Sequence, residues 1–289
     1  MNKIIVEVGS TVTKADEYDG KILNRIGEKT IFFKKNYKEN NYLLESDVEK
    51  LINYVNELKE KTEDIYVCGT SIFRSLTDLE KEEFLNNFKS KTGLDFHIIS
   101  SDDECKLTVL GATRFIDNAC VFIGGGGSTE IAIYDRDIVE NTNSQIGVMD
   151  VTEVFPDLAS DIASASLDEV MDYIKARLIL PKKKSDVLIL AGGAHEMFVR
   201  VSGIKYDENT LYEDDAAPIM MDIESRIAET KRYYEEISLD EIRARVDDPD
   251  WWYGTRAMCA FALVVALKIG AKVIIPTNIG MAYGILKEN

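Results

Sequence analysis

The stretch Ala119-Cys120-Val121-Phe122-Ile123-Gly124-Gly125-Gly126-Gly127-Ser128-Thr129-Glu130-Ile131-Ala132-Ile133-Tyr134 decides how the chain is read. Its first five residues have the apolar pattern of a buried strand, which ends in four glycines and two hydroxyl residues before a second strand begins. Ordering four consecutive glycines loses more backbone entropy than ordering other residues, so a purely structural quartet is disfavoured. Such a turn exposes successive N–H groups and hydroxyls, an array that binds anions and phosphate in particular. Glycine permits positive φ and lets a phosphate approach the backbone closely. No lysine follows, so this is not a GxxxxGK[ST] loop, and no GxGxxG helix pattern is present.

The same arrangement opens the chain. Lys3-Ile4-Ile5-Val6-Glu7-Val8 is a β-branched run that stops at Gly9-Ser10-Thr11. Taken alone, that turn reads equally well as a plain hairpin turn. Tyr18-Asp19-Gly20-Lys21 predicts a hairpin tip with a type I′ turn, its second strand continuing toward Thr30-Ile31-Phe32-Phe33. Strand, Gly/Ser/Thr turn, strand and turn thus occur twice, near residues 4–24 and 119–140. We read two α/β domains of one architecture, 1–118 and 119–289, with the last helix able to pack back on the first domain. Each contributes one hairpin to a two-jawed phosphate clamp.

Further elements follow from periodicity. Val48, Leu51, Ile52, Val55 and Leu58 predict a helix over 46–61, with Ser46 and Glu49 as a capping box. Strands are expected at 64–68, 96–99, 187–193 (ending in glycines) and 273–276, and helices at 76–92 and 101–110. Residues 257–269 are nearly all apolar and predict a core helix, too short to span a membrane. Trp251-Trp252-Tyr253 fits a core plug better than a dimer contact.

Composition narrows the partners. With 34 Lys+Arg against 51 Asp+Glu, the 289 residues carry a formal net charge of −17. That disfavours duplex nucleic acid and anionic membranes. No signal-peptide pattern opens the chain, and Cys68, Cys105, Cys120 and Cys259 form no CxxC pair. Free thiols in a reducing cytoplasm are expected. His97 and His195 are the two histidines, too few for a histidine-rich metal cluster.

Taken in order, these stretches resemble a known family. Ile123-Gly124-Gly125-Gly126-Gly127-Ser128-Thr129-Glu130-Ile131 is similar to the "DIGGGSTEL" signature of the exopolyphosphatase / guanosine pentaphosphate phosphohydrolase (Ppx/GppA) family, part of the actin-like, sugar-kinase and Hsp70-type ATPase superfamily. Val6-Glu7-Val8-Gly9-Ser10-Thr11 resembles its "IDLGSNS" motif, and Gly69-Thr70-Ser71-Ile72-Phe73-Arg74 its "ATxAxR" segment. Ile98-Ile99-Ser100-Ser101-Asp102-Asp103-Glu104-Cys105-Lys106-Leu107, with Gly111 after it, resembles "ISGxEEAxL". Gly192-Gly193-Ala194, then Gly254-Thr255-Arg256 and residues 270–285, look like its late glycine turn and C-terminal region. The resemblance covers essentially the whole chain. It implies two actin-like (ribonuclease H-like) domains with an interdomain phosphate-binding cleft.

The resemblance also implies roles. Glu104 would be the general base that orients a water, and Arg74 a phosphate contact. Gly9, Ser10, Thr11, Gly125, Gly126, Gly127, Ser128 and Thr129 would bind phosphate, with Glu7 and Glu130 holding Mg²⁺ or Mn²⁺. Arg256 is expected to make a structural salt bridge. Three positions depart from the family pattern: Ile123 replaces an aspartate, Glu7 is longer than the family aspartate, and Thr11 replaces an asparagine. An isoleucine cannot ligate a hard cation that takes oxygen.

The expected activity is removal of terminal phosphate from short polyphosphate or a pentaphosphate nucleotide by metal-assisted water attack. A catalytically impaired phosphate-binding sensor is the alternative that Ile123 favours. A third is an ATPase of the same superfamily, because Val8-Gly9-Ser10-Thr11-Val12-Thr13-Lys14 resembles the "VGSTxTK" start of activator ATPases and sugar kinases. Those activators use a cluster-binding cysteine pair, which the scattered cysteines do not supply. Residues 201–250 hold 15 acids and 6 bases, expected on a solvated face, and a strongly anionic body repels a long polyanion. The expected partner is a small phosphorylated ligand, with a homodimer left open.

Overall fold

The computed structural model describes residues 2–10, 12–160, 163–192, 195, 207–208, 219–238, 240–241, 244 and 254–288. Thr11, Gly193, Ala194, the Trp251-Trp252-Tyr253 cluster and much of the acidic 201–250 stretch lie outside the described residues. The chain divides into two compact units, Met1–Leu107 with Met281–Asn289, and Thr108–Gly280. The sequence predicts the boundary near residue 118.

The first unit is built on five strands: β1 (Lys3–Val8), β2 (Val12–Tyr18), β3 (Leu23–Thr30), β4 (Ile65–Gly69) and β5 (Phe96–Ile98), in the order β3-β2-β1-β4-β5. The first three are antiparallel neighbours, and β4 and β5 run parallel to β1. Side chains alternate across β1. Ile4, Val6 and Val8 pack with Phe33, Phe73, Phe84, Phe88 and Phe96, while Ile5 packs on the other face with Cys68, Leu107, Met281, Ala282 and Ile285.

The β2–β3 connection departs from the type I′ expectation. The Asp19 carboxylate accepts the N–H groups of Lys21 and Ile22 at 2.8 and 3.0 Å, and Gly20 alone takes a positive φ, +99°. A side-chain-capped turn of this kind spans more residues than the two of a type I′ hairpin. Strand β3 also stops at Thr30, before the expected Phe33, because Phe33 turns into the core and begins α1 (Phe33–Asn40). Helix α2 (Glu45–Lys59) buries the predicted face, but Ser46 lies inside it and the expected capping box does not form. A box forms instead between Thr77 and Glu80, at the start of α4 (Asp78–Thr92), after the single turn α3 (Ile72–Ser75). Helix α5 (Ser101–Ala112) follows, and the C-terminal helix Met281–Glu288 completes this unit. At Gly284 a Cβ would lie 2.0 Å from the Leu107 carbonyl oxygen, so only glycine lets the two helices touch there.

The second unit carries β6 (Asn118–Gly124), β7 (Thr129–Asp135), β8 (Ile138–Ser144), β9 (Val187–Ala191), β10 (Asp207–Glu208), β11 (Ile219–Asp222) and β12 (Val273–Pro276), in the order β10-β11-β12-β9-β6-β7-β8. Read as β8-β7-β6-β9-β12, order and directions repeat those of the first sheet. This is the duplicated ribonuclease H-like α/β architecture that the resemblance implied. Its helices are α6 (Val148–Val154), α7 (Leu167–Lys175), α8 (Ile223–Glu235) and α9 (Thr255–Ile269), leaving Met281–Glu288 as α10. Helix α9 is buried along almost its whole length, as its sequence predicts. Among the described residues no helix is long and apolar enough to cross a membrane, and all four cysteines are buried and outside any disulfide.

Candidate active site

In open α/β sheets, ligands bind outside the carboxyl ends of the parallel strands. In the first unit those ends carry the residues singled out above. Ser10 follows β1, Ser71 and Arg74 follow β4, and Glu104 lies in the first turn after β5. The Gly9 N–H donates to the Val12 carbonyl at 3.0 Å, closing the turn. The Ser10 hydroxyl donates to that of Ser71 at 2.8 Å. Arg74 Nη1 donates to Glu104 Oε2 at 2.6 Å and to the Ile99 carbonyl at 3.1 Å.

Local sequence fixes the start of α5. The Ser100 hydroxyl accepts the Asp103 N–H at 3.1 Å and donates to the Asp103 carboxylate at 2.6 Å, a cap that sets the direction of the first turn. Asp102 and Asp103 point to solvent, whereas Glu104 is half-buried against Arg74. The side chains of Arg74 and Glu104 are 26% and 34% exposed, so the pair is open to an arriving ligand. A guanidinium matches phosphoryl oxygens as well as it matches carboxylate. Nearby Cys68 is inert, because burial first, and then the charges of Glu7 and Glu104, push its thiol well above the usual range.

The second unit has a glycine turn of its own, and there the backbone is what stands out. The Gly125 N–H donates to the Ser128 carbonyl at 2.9 Å, closing the glycine turn. The carbonyls of Gly125 and Gly126 accept the N–H groups of Val148 and Met149, at 3.0 and 2.8 Å, from the first turn of α6. In a planar trans peptide the carbonyl and the following N–H point to opposite sides. The N–H groups of Gly126 and Gly127 therefore point away from α6, side by side, which is the geometry of an anion cradle. None of Gly9, Gly124, Gly125, Gly126 and Gly127 takes the positive φ that glycine permits. Space demands glycine at Gly147 and Gly124, whereas a Cβ on Gly126 would meet only Met149, at 3.6 Å. A Cβ on Gly147 would stand 2.4 Å from the Gly126 carbonyl carbon and the Gly127 nitrogen. At Gly124 it would meet Met258 Sδ at 2.7 Å.

Several expected ligands have other partners. The Thr129 hydroxyl is buried and donates to the Ile146 carbonyl at 2.8 Å, so it holds the turn and does not face a ligand. Glu7 Oε1 accepts the Ala282 N–H at 2.5 Å, tying β1 to α10. Desolvation raises the Glu7 pKa above its ordinary value, with Asp16 adding to the rise against Lys14, Arg25 and the Ala282 hydrogen bond. Glu130 lies half-buried on β7, in register with Ile123 and Asn143. Among the described residues no three His, Cys, Asp or Glu side chains converge as a metal site. The residues present do not fit a divalent-cation cage built by protein alone. Arg256 is structural, its buried guanidinium donating to the carbonyls of Leu158, Ser160, Tyr233 and Ile237 at 3.4, 2.5, 3.2 and 3.1 Å. Sequence spacing gave no sign of Gly147 or Ser71, whose roles depend on tertiary neighbours.

The model of the Ppx/GppA phosphatase family matches residues 11–239. Among solved structures, the chain is similar to the PPX-GPPA enzyme of Aquifex aeolicus, at 19% identity over 100% of this chain and 99% of that one, with a TM-score of 0.78. It is also similar to an exopolyphosphatase from Cytophaga hutchinsonii, at 12% identity over 99% and 97% of the two chains, with a TM-score of 0.77. Nucleoside triphosphate hydrolases from Neospora caninum share the fold more distantly, with 11% identity, coverage of 99% and 92%, and a TM-score of 0.58. No curated protein matches the chain in sequence. The family's model thus spans the glycine turn, the Arg74 segment and the Glu104 segment, and the chain belongs to the Ppx/GppA phosphatase family.

Proposed function

We propose that the chain removes the terminal phosphate of a short polyphosphate or a pentaphosphate nucleotide by direct attack of water. The observation that carries this reading is the 2.6 Å pair of Arg74 and Glu104 at the carboxyl ends of the parallel strands. Phosphoryl transfer depends on alignment and on neutralising charge on the transferred group. In the resting pair, Arg74 holds the Glu104 carboxylate in one orientation. A terminal phosphoryl oxygen competes for the guanidinium, and the carboxylate is left to accept a proton from an in-line water. The Gly126 and Gly127 N–H groups, with Ser128 beside them, supply backbone donors for phosphoryl oxygens. Mg²⁺ or Mn²⁺, if needed, would serve as a counter-ion of the substrate's own phosphates, neutralising their charge. A net charge of −17 favours short ligands over long polyanions.

Ile123 supports a second reading, in which the ligand is bound and not turned over. The test measures phosphate release from tripolyphosphate, long-chain polyphosphate, guanosine pentaphosphate and ATP, with and without each cation. Turnover of the short substrates that Glu104→Gln abolishes supports hydrolysis. Tight binding with no turnover supports the sensor, and saturable hydrolysis of ATP alone supports the ATPase alternative.

A further inference from the structure

Ser71 has backbone angles of φ +44° and ψ −97°, one of three non-glycine residues with positive φ among the described residues. Such a conformation costs on the order of 1–3 kcal/mol and persists only where surrounding structure over-determines it. Here the clamp is visible on both sides. Two residues before it, Gly69 ends β4 without a side chain, and a Cβ there would lie 2.4 Å from the Phe96 ring and 2.7 Å from Phe73. Two residues after it, Phe73 is fully buried, its ring 5.2, 5.1 and 4.9 Å from those of Phe33, Phe84 and Phe96. Residue 71 must bend sharply between these anchors.

The result is a strand, a tight turn at a serine and a helical turn, the arrangement by which a nucleophile elbow lifts a hydroxyl above a sheet edge. The Ser71 hydroxyl lies 2.8 Å from that of Ser10, at the tip of the neighbouring parallel strand. Two hydroxyls bonded to each other use one proton in the bond and keep one to donate outward. Three residues on is Arg74, whose guanidinium holds Glu104.

We propose that Ser71 contacts the substrate, the Ser10–Ser71 pair donating its outward proton in a hydrogen bond to a non-bridging oxygen of the terminal phosphoryl group. No bond to Ser71 forms or breaks in this role. The hydroxyl gains strength as charge develops on that oxygen, and its strained backbone fixes it before the substrate arrives. This inference rests on the reading of the Arg74–Glu104 site as the phosphoryl site.

Two substitutions separate the hydroxyl from the strain. Ser71→Ala keeps the strained backbone and removes the hydroxyl. Ser71→Gly removes both, and glycine tolerates φ +44° without penalty. The expected result is a fall in kcat/KM for tripolyphosphate of about 10- to 100-fold in both variants. The Tm should be unchanged in Ser71→Ala and higher by about 2 °C or more in Ser71→Gly. Calorimetric titration with inorganic phosphate runs alongside, and both variants should bind it more weakly than the parent. If the parent binds phosphate but turns over no substrate, the hydrolysis reading fails while the loss of phosphate affinity still supports Ser71. Parent-like phosphate affinity in Ser71→Ala, activity loss that only tracks a lower Tm, or no phosphate binding by the parent would each overturn the proposal.

Discussion

The sheets of the two units share strand order and direction, yet their first hairpins present different chemistry. After β1 the turn is short, and its surroundings supply side chains: Ser10, Ser71, Arg74 and Glu104. After β6 the turn is glycine, its carbonyls are taken up by α6, and what remains to face a ligand is backbone N–H. Side chains can hold and move a proton, whereas amides can only donate. On the reading proposed above, the duplicated fold divides the work, with proton chemistry in one unit and anion binding in the other. Shared architecture alone would not distinguish the two roles.

Four substitutions test that division, in descending order of effect. Glu104→Gln keeps the shape of the side chain but removes its basicity, and should lower kcat by about 10²–10⁴-fold with little change in phosphate affinity. An equal loss of binding would show that Glu104 serves anion recognition instead. Gly147→Ala drives a methyl group into the peptide between Gly126 and Gly127. It should destabilise the protein by about 1–3 kcal/mol and weaken phosphate binding, with urea melts and calorimetry as the readouts. Ile123→Asp adds a carboxylate at the end of β6. It should make the rate more dependent on Mg²⁺, with a gain of up to about tenfold, and no gain would mean that the cation depends on the substrate alone.

The smallest effect concerns Glu7. Burial raises its pKa, so the folded state prefers the protonated acid. Its contribution is most favourable below the ordinary carboxylate pKa and is lost as pH rises through the raised folded value. Glu7→Gln keeps an oxygen for the Ala282 N–H and removes that dependence. In urea melts the stability of the variant relative to the parent should rise from pH 4 to pH 8, by about 1 kcal/mol or less. If the difference between variant and parent does not change across that range, Glu7 is not held toward its protonated form.

The strands and both glycine turns are legible in the sequence because short continuous apolar runs ended by glycine leave a signal with sharp stops. The Arg74–Glu104 pair is not, since 30 residues separate the two and only the parallel pairing of β4 with β5 brings them together. Helix α8 shows a second kind of blindness. Its buried positions, Arg226, Glu229, Thr230, Tyr233 and Tyr234, follow helical spacing, but they are polar or aromatic. The fully buried Arg226–Glu229 pair, 3.2 Å apart, stands where a periodicity search looks for aliphatic residues. The Asp19 turn fails differently, because an Asp-Gly pair suits both a type I′ turn and a carboxylate-capped loop.

The bond from Ala282 to Glu7 joins residues 275 positions apart, which bears on how the chain is made. Strand β1 leaves the ribosome early, yet the helix that covers its Ile5 face emerges only after the whole of residues 108–280. At usual elongation rates of roughly 5–20 residues per second, that face waits on the order of 10–50 s for its cover. The second unit is one continuous segment and can close before the first does. The early strand is therefore completed late, and its Ile5 face stays without its C-terminal cover until α10 emerges.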